Sequence, residues 1–434
     1  MGRGNKPIVT RSTGTRFPKA IVAAVFAVMV VSAGLIYYFR YPLPNPPDGG
    51  DKGVIIVLSN STTIDGGGGG DDWALGMAYD SEHDTLYACG HITKAGEGKN
   101  GVIWKLASDL VPISNVTFGG PGGDDRGSDL ALDDNGRLFV VGYVVEPGQG
   151  QNIWLARYGL NLTLEKCVTV NGPDNSTDEG YGLLLDTAGM VYITGTVTVP
   201  VTGYDIFIAK YDTDLNLQRS VILNGPANKT DKGRFLLLDG MGNLFVSGSM
   251  SQPGTGYDIW LGKFNTDLEL LDQTIIAGPG PDEDKGYDIV MDEAGFIYAT
   301  GTMTEPGESY NIWLAKFETG LNLLNNVTIN GSGNGEDTGY TMVLRTVEGV
   351  PCILQTGVYT EASGGANIMV AVYNMSFFLM GRYTINGSAN AYDSGFGIID
   401  GPDESFFVSG FVTETVGAAD AWFGRFRLVL IVPP

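Results

Sequence analysis

The sequence predicts an all-β fold, a seven-bladed β-propeller of four-stranded blades, and three observations carry that prediction. A strand ending in glycine recurs at Gly90, Gly142, Gly195, Gly248, Gly301, Gly357 and Gly410, with spacings of 52, 53, 53, 53, 56 and 53 residues. A period near fifty with room for four short strands is the signature of propeller blades. Glycine is the commonest residue at 64 copies and charged residues make only 17%, which suits short strands and tight turns better than helices. Finally, the segment 54–72, VIIVLSNSTTIDGGGGGDD, reads like the last strand and turn of a repeat, whereas the seventh copy supplies only three strands from Phe396 onward. An N-terminal strand that completes the last blade would seal the ring and remove its open edges.

Taken from the N-terminus, residues 1–19 form a basic tail. Met1–Arg40 holds six basic residues and no acidic one, leaving 20 basic against 49 acidic beyond it, a balance of −29. Ala20–Phe39 is twenty uncharged, mostly apolar residues, enough to cross a hydrocarbon core of about 30 Å as a helix. The basic flank places the N-terminus in the cytosol and the propeller outside, a single-pass cell-membrane protein. A cleaved signal peptide also begins basic and apolar, and Lys19-Ala20 resembles the junction of archaeal pilin-type signal peptides. Residues 40–53 are a Pro/Gly-rich stalk, and 54–434 the propeller ectodomain.

Within a repeat the strands are readable one by one, as in GYDIVMD (286–292), FIYATGTM (296–303), YNIWLAKF (310–317) and LLNNVTING (323–331). The first is apolar almost throughout, as an innermost strand packed on both sides should be. The second follows a DxxG turn, as at Asp133–Gly136, Asp186–Gly189, Asp239–Gly242 and Asp292–Gly295, where Asp caps turn amides and Gly takes positive φ. The third carries a bulky residue at Trp104, Trp154, Phe207, Trp260, Trp313, Met369 and Trp422, expected to pack between blades. Cys89, Cys167 and Cys352 lie far apart and read as buried small hydrophobes, neither a disulfide framework nor a zinc site.

The strings DEGYGLLLDTAGMVYITG (178–195) and DKGYDIVMDEAGFIYATG (284–301) resemble the SBBP-type β-propeller repeat of prokaryotic surface and secreted proteins. The resemblance covers essentially 54–434 and implies the fold without implying an activity. Copy six departs from it, since RTVEGVPCILQTG (345–357) lacks the turn aspartate.

An acidic position recurs between the fourth strand of one repeat and the first of the next: Asp72, Asp125, Glu179, Asp231, Asp284, Asp337 and Asp393, with Tyr181, Tyr287 and Tyr340 just beyond. The second-to-third-strand connections place Tyr204, Tyr257 and Tyr310 on the same face. Two readings stand. The carboxylates form a ring that could hold calcium or meet a partner, or each caps its own turn. Asn-x-Ser/Thr acceptors at Asn60, Asn115, Asn161, Asn175, Asn228, Asn326, Asn330, Asn374 and Asn386 suggest an exterior glycoprotein.

The acidic ectodomain excludes nucleic-acid binding. With only His83 and His91, a Ser-His-Asp relay or histidine metal centre has little to draw on, and no catalytic or metal-ligating residue is singled out. The expectation is a membrane-anchored extracellular binding or scaffold module for protein or glycan, without a resident cofactor. The alternatives are a surface polysaccharide hydrolase or lyase acting through carboxylates, or a structural cell-envelope component.

Overall fold

The computed structural model describes residues 53–431, apart from 120–122, 255, 281–282, 363–364 and 416–417. The expected basic tail, membrane helix and nearly all of the stalk lie outside the described residues. Within them no helix is long and apolar enough to cross a membrane. The described residues form seven antiparallel four-stranded sheets, six from four consecutive strands and the seventh from the last three strands and the first. Blade one gains a two-residue parallel strand, Gly123–Asp124, against Gly98–Lys99. The blades begin at Trp73, Arg126, Glu179, Lys232, Lys285, Thr338 and Ser394.

The sequence repeat has a steric cause. In every blade the recurring glycine of the second strand pairs with the second residue of the first strand, as Gly195 pairs with Gly180 and Gly248 with Gly233. A Cβ at Gly195 would stand 2.1 Å from the Glu179 carbonyl oxygen, and one at Gly248 1.9 Å from that of Lys232. No side chain fits there, so the glycine returns once per blade.

The ring closes as expected. Gly53–Ile64 pairs antiparallel with Ala418–Ile431 and supplies the outer strand of blade seven. The third strand of that blade is longer than the sequence suggests, running to Ile431 along the incoming strand. Val54 and Ile56 are buried by this pairing. Gly53–Ile64 leads directly toward the loops that carry the acidic residues, so the chain enters the propeller from the opposite face.

The core is a set of layers between neighbouring sheets. Trp313 packs with Phe245, Ile259 and Leu261 of the preceding blade, and Trp260 with Tyr192, Ile206 and Ile208. Trp154, Phe207, Trp260, Trp313, Met369 and Trp422 each pair with the recurring glycine of their blade and are 5% exposed or less. In blade one that place belongs to Val102, and Trp104, expected in the column, stands two residues on, opposite Ala88, and is buried there. Each exchanges a large apolar area with water on unfolding, and the column is therefore a main source of stability. Cys89 and Cys352 are buried, but Cys167 is exposed. It sits on an outer strand whose alternate residues face solvent, so its apolar neighbours in sequence mislead the expectation.

The DxxG turns behave as read. Asp292 Oδ1 accepts from the amides of Ala294 and Phe296, while Gly295 takes φ +88°. Copy six replaces this turn by Glu348-Gly349, with φ values of 46° and 83°, between the paired Val347 and Val350. Two consecutive positive φ values make a tight two-residue hairpin, which needs no aspartate.

Candidate functional site

The acidic loops and the axis of the ring are built from the same seven junctions. At each junction one buried aspartate ties three pieces of chain together. Asp337 accepts from Gly331 N at 2.5 Å and Thr360 N at 2.6 Å, and its own amide donates to the Tyr310 carbonyl at 2.8 Å. Asp393 repeats this with Gly387 N, Thr413 N and the Ala366 carbonyl, all at 2.7 Å. Asp72, Asp125, Asp231 and Asp284 occupy the same place, and all six are 0–1% exposed. In blade three the equivalent residue is Asp178, not Glu179. Of the two readings of these carboxylates, an open ring or caps on backbone amides, the geometry matches the second: they are turned into the fold, where amides at both ends of the loop compete for their oxygens. Burial pushes the Asp72 and Asp393 carboxyls up to about 6 against the pull of those amides.

Glu179 instead opens the first strand of blade three, and that strand type builds the channel. In all seven blades the register slips just after the second residue of the first strand, leaving Leu75, Ser128, Tyr181, Arg234, Tyr287, Tyr340 or Phe396 within a bulge. A bulge re-aims its side chain, and here the seven converge on the axis. They line a cavity of about 310 Å³ together with Trp73, Arg126 and Asp129. The residue just before the bulge is glycine in six blades. A Cβ at Gly233 would meet Thr194 Oγ1 of the neighbouring blade at 2.2 Å.

The wall is aromatic over most of its circumference, with Arg126 and Arg234 set between the rings. Tyr287 and Tyr340 meet edge to face at 4.8 Å, Tyr340 and Phe396 at 5.0 Å, and Trp73 lies 5.6 Å from Phe396. The Arg234 guanidinium sits over Tyr181 at 4.2 Å and 5.5 Å from the Tyr287 ring. Lys232 Nζ donates to Tyr181 Oη at 3.2 Å and stands 3.9 Å from Glu179, to which the Tyr181 hydroxyl also donates. Burial, then the charge of Arg234, draws the Lys232 ammonium down to about 8. Arg126 lies over Tyr143 at 5.0 Å.

Tyr181, Tyr287 and Tyr340 are therefore brought together as the sequence places them, on the channel wall. Tyr204 and Tyr310 flank it, with Lys232 5.9 Å from the Tyr204 ring and Lys285 5.0 Å from that of Tyr310. Tyr257 contributes its carbonyl to the Asp284 junction. Arg126, Lys232 and Arg234 are not among the residues that sequence reasoning singles out. The signal that finds them is the x-Gly-x unit opening six of the seven first strands, whose second flanking residue lies in the bulge that faces the axis.

Neither histidine joins an acid-base pair there. His83 is exposed beside Asp80, 2.7 Å away, on the face where the chain enters. His91 is buried next to Trp73, 5.0 Å between rings, and burial holds it well below the ordinary histidine range. Among the described residues, Asp65, Asp72 and Asp420 bring carboxylate oxygens within 4.8 Å of one another, the donor type calcium takes. Both Asp72 oxygens already accept amides there.

Of the candidate glycosylation positions, Asn60, Asn115, Asn161, Asn175, Asn228, Asn326 and Asn386 are exposed, and Asn330 and Asn374 half-buried. Several also serve the loops. Asn175 and Asn228 take positive φ and accept from Asn171 and Asn224, and Asn374 Oδ1 caps its own turn.

No family model matches the chain, and no curated protein matches it. Similar solved structures include the periplasmic gluconolactonase of Pseudomonas aeruginosa, with TM-score 0.45 and 13% identity over 71% of this chain and 84% of that one. They also include a Dyadobacter fermentans protein of unknown function, at 0.48 and 8% over 86% and 99%. A third is Drosophila Plexin A in complex with Semaphorin 1b, at 0.49 and 8% over 87% and 88%. At these values the function of this chain rests on its own residues.

Proposed function

We propose that the protein is a non-catalytic binding module, displayed outside the cell on one N-terminal membrane anchor and glycosylated there. Its ligand, a glycan or an extracellular protein, is gripped at the mouth of the central channel. The observation that carries this reading is the channel wall, where the first strands of the seven blades bring the aromatic rings of Trp73, Tyr181, Tyr287, Tyr340 and Phe396 and the guanidinium groups of Arg126 and Arg234 around one cavity. Pockets of this size and lining are where proteins hold small ligands.

Carboxylates in reach of the cavity are already engaged, which favours binding over hydrolysis. Glu179 holds Tyr181 and Lys232, while Asp129 and Asp288 accept the amides of Leu183 and Met342 in the next blades. The SBBP-type resemblance and the nine acceptor sequons support an exterior location.

The test uses the full chain, kept in detergent, on glycan and surface-protein arrays. Saturable retention that Tyr287→Ala and Tyr340→Ala abolish, without a loss of melting temperature, is the expected result. Release of shortened or unsaturated fragments from a bound polysaccharide would sink the non-catalytic reading. Binding indifferent to both substitutions would move the site off the channel.

A further inference from the structure

We infer that the channel mouth is an anion site, built to take the carboxylate of an acidic sugar, a uronate residue, against Arg126 and Arg234 with the sugar ring on the tyrosine wall. The inference rests on the preceding reading that this cavity binds a ligand, and it names that ligand's chemistry.

Two cations, Arg126 and Arg234, line the cavity, and Lys232 stands near enough to feel their charge and that of Lys285, in a chain whose formal net charge is −23. Glu179 is the carboxylate that Lys232 approaches, at 3.9 Å, and Glu283 pairs with Lys285 at 2.9 Å. Neither guanidinium has an ion-pair partner among the described residues, and Nε of both Arg126 and Arg234 is buried without a hydrogen-bond acceptor. A buried donor without an acceptor is costly, and both guanidinium groups that line the cavity carry one, so a ligand oxygen meeting their η nitrogens would find groups poorly satisfied by the protein itself.

The geometry also says which acceptor. The Arg234 guanidinium carbon lies 4.2 Å from the Tyr181 ring centroid, and a guanidinium presents a planar fork of donors that a carboxylate matches with two oxygens. Beside it, the edge-to-face set of Tyr287, Tyr340 and Phe396 offers flat apolar surface. A cavity of about 310 Å³ admits a body of one or two sugar rings, and less easily a folded segment of protein.

Lys232 makes the site proton-linked. It faces Tyr181 and Glu179 from blade three, Tyr204 across its own blade boundary and Arg234 on its own strand, with Arg126 and Lys285 farther off. Held down to about 8, it loses most of its charge between pH 7 and pH 9, and a bound anion favours the charged form. Uronate affinity should therefore fall by up to about tenfold across that interval.

The experiment is calorimetric titration of the full chain with trigalacturonate, its methyl ester, sulfate, inorganic phosphate and glutamate. Expected are saturable trigalacturonate binding, a loss of tenfold or more for the methyl ester, and a comparable loss in Arg234→Gln and Arg126→Gln. Arg382→Gln, on an outer strand, should bind as the wild type does. Equal binding of the acid and its ester would overturn the anion inference while leaving the binding module intact. Tighter binding of sulfate or phosphate than of trigalacturonate would overturn the carboxylate class. Silence from every anion would overturn the inference, and the arrays described above would then decide the broader reading separately. Because the acid and ester are compared on the wild-type chain, a variant that fails to fold does not blunt the test.

Discussion

Replacing Asp393 by asparagine keeps the shape of a junction residue and removes its buried charge, so the cost of the change should depend on pH. The carboxyl is 0% exposed and accepts Gly387 N and Thr413 N. Burial raises its pKa from 3.8 to about 6, with Glu414 adding repulsion and the two amides opposing. In the unfolded chain it returns to 3.8. Between those values the native state holds more protons than the unfolded one, so this residue adds stability at low pH and loses it as pH rises through 6. The linkage integral from pH 7.5 to pH 5.0 is about 1.4 kcal/mol for a shift of this size. A side-chain amide, which does not titrate, contributes nothing to that integral. The stability of Asp393→Asn relative to wild type should therefore worsen by about 1.4 kcal/mol on going from pH 7.5 to pH 5.0. Urea unfolding of both full chains at the two pH values, at one ionic strength, reads this difference and cancels the other carboxylates. An unchanged gap, or one that narrows in acid, would mean that the amide bonds outweigh burial and that the reasoning about these junctions is mistaken.

Three further outcomes are expected. Trp313→Ala, at a fully buried site between blades four and five, should cost about 3–5 kcal/mol in chemical denaturation. A cost under about 1 kcal/mol would contradict its place in the core. Leu268 is 2% exposed yet sits at φ 59°, so Leu268→Gly should be no less stable than Leu268→Ala, reversing the usual order because glycine escapes a left-handed penalty of about 1 kcal/mol. Glu348→Asn should raise stability by roughly 0.5 kcal/mol, since Asn-Gly suits the paired positive φ values of that hairpin. A lower melting temperature would show that the side chain of Glu348 matters more than its backbone.

Much of the architecture can be read before any coordinates. The pattern of the fifth copy divides it into strands at 286–292, 296–303, 310–317 and 323–331, and they lie at Lys285–Met291, Ile297–Thr304, Tyr310–Phe317 and Leu323–Ile329. Such elements are legible because alternation, turn aspartates and glycines act over a few residues and recur in register. The buried Leu110, Leu162, Leu215, Leu268, Leu321 and Phe377 escape notice, although each holds a positive φ in the turn before a fourth strand. Propensity argues against leucine there, and only burial between blades, which a sequence does not display, explains it.

The candidate site divides along the same line. Tyr181, Tyr287 and Tyr340 are placed by repetition, whereas Arg126 and Arg234 lie within strands that read as apolar core. The recurring acidic residues are visible, but their inward orientation is not, since amides of distant segments such as Gly387 and Thr413 must first be brought to Asp393.

The sequence by itself determined the number of blades, the strand order within each and the closure by residues 54–64, because steric exclusion at one glycine per copy is a local constraint repeated seven times. The tertiary structure alone decided that the aspartates become internal staples and that cations and tyrosines meet on the axis. Those outcomes depend on a one-residue bulge turning each first strand and on seven such strands closing around a common centre, and neither condition is local to any repeat.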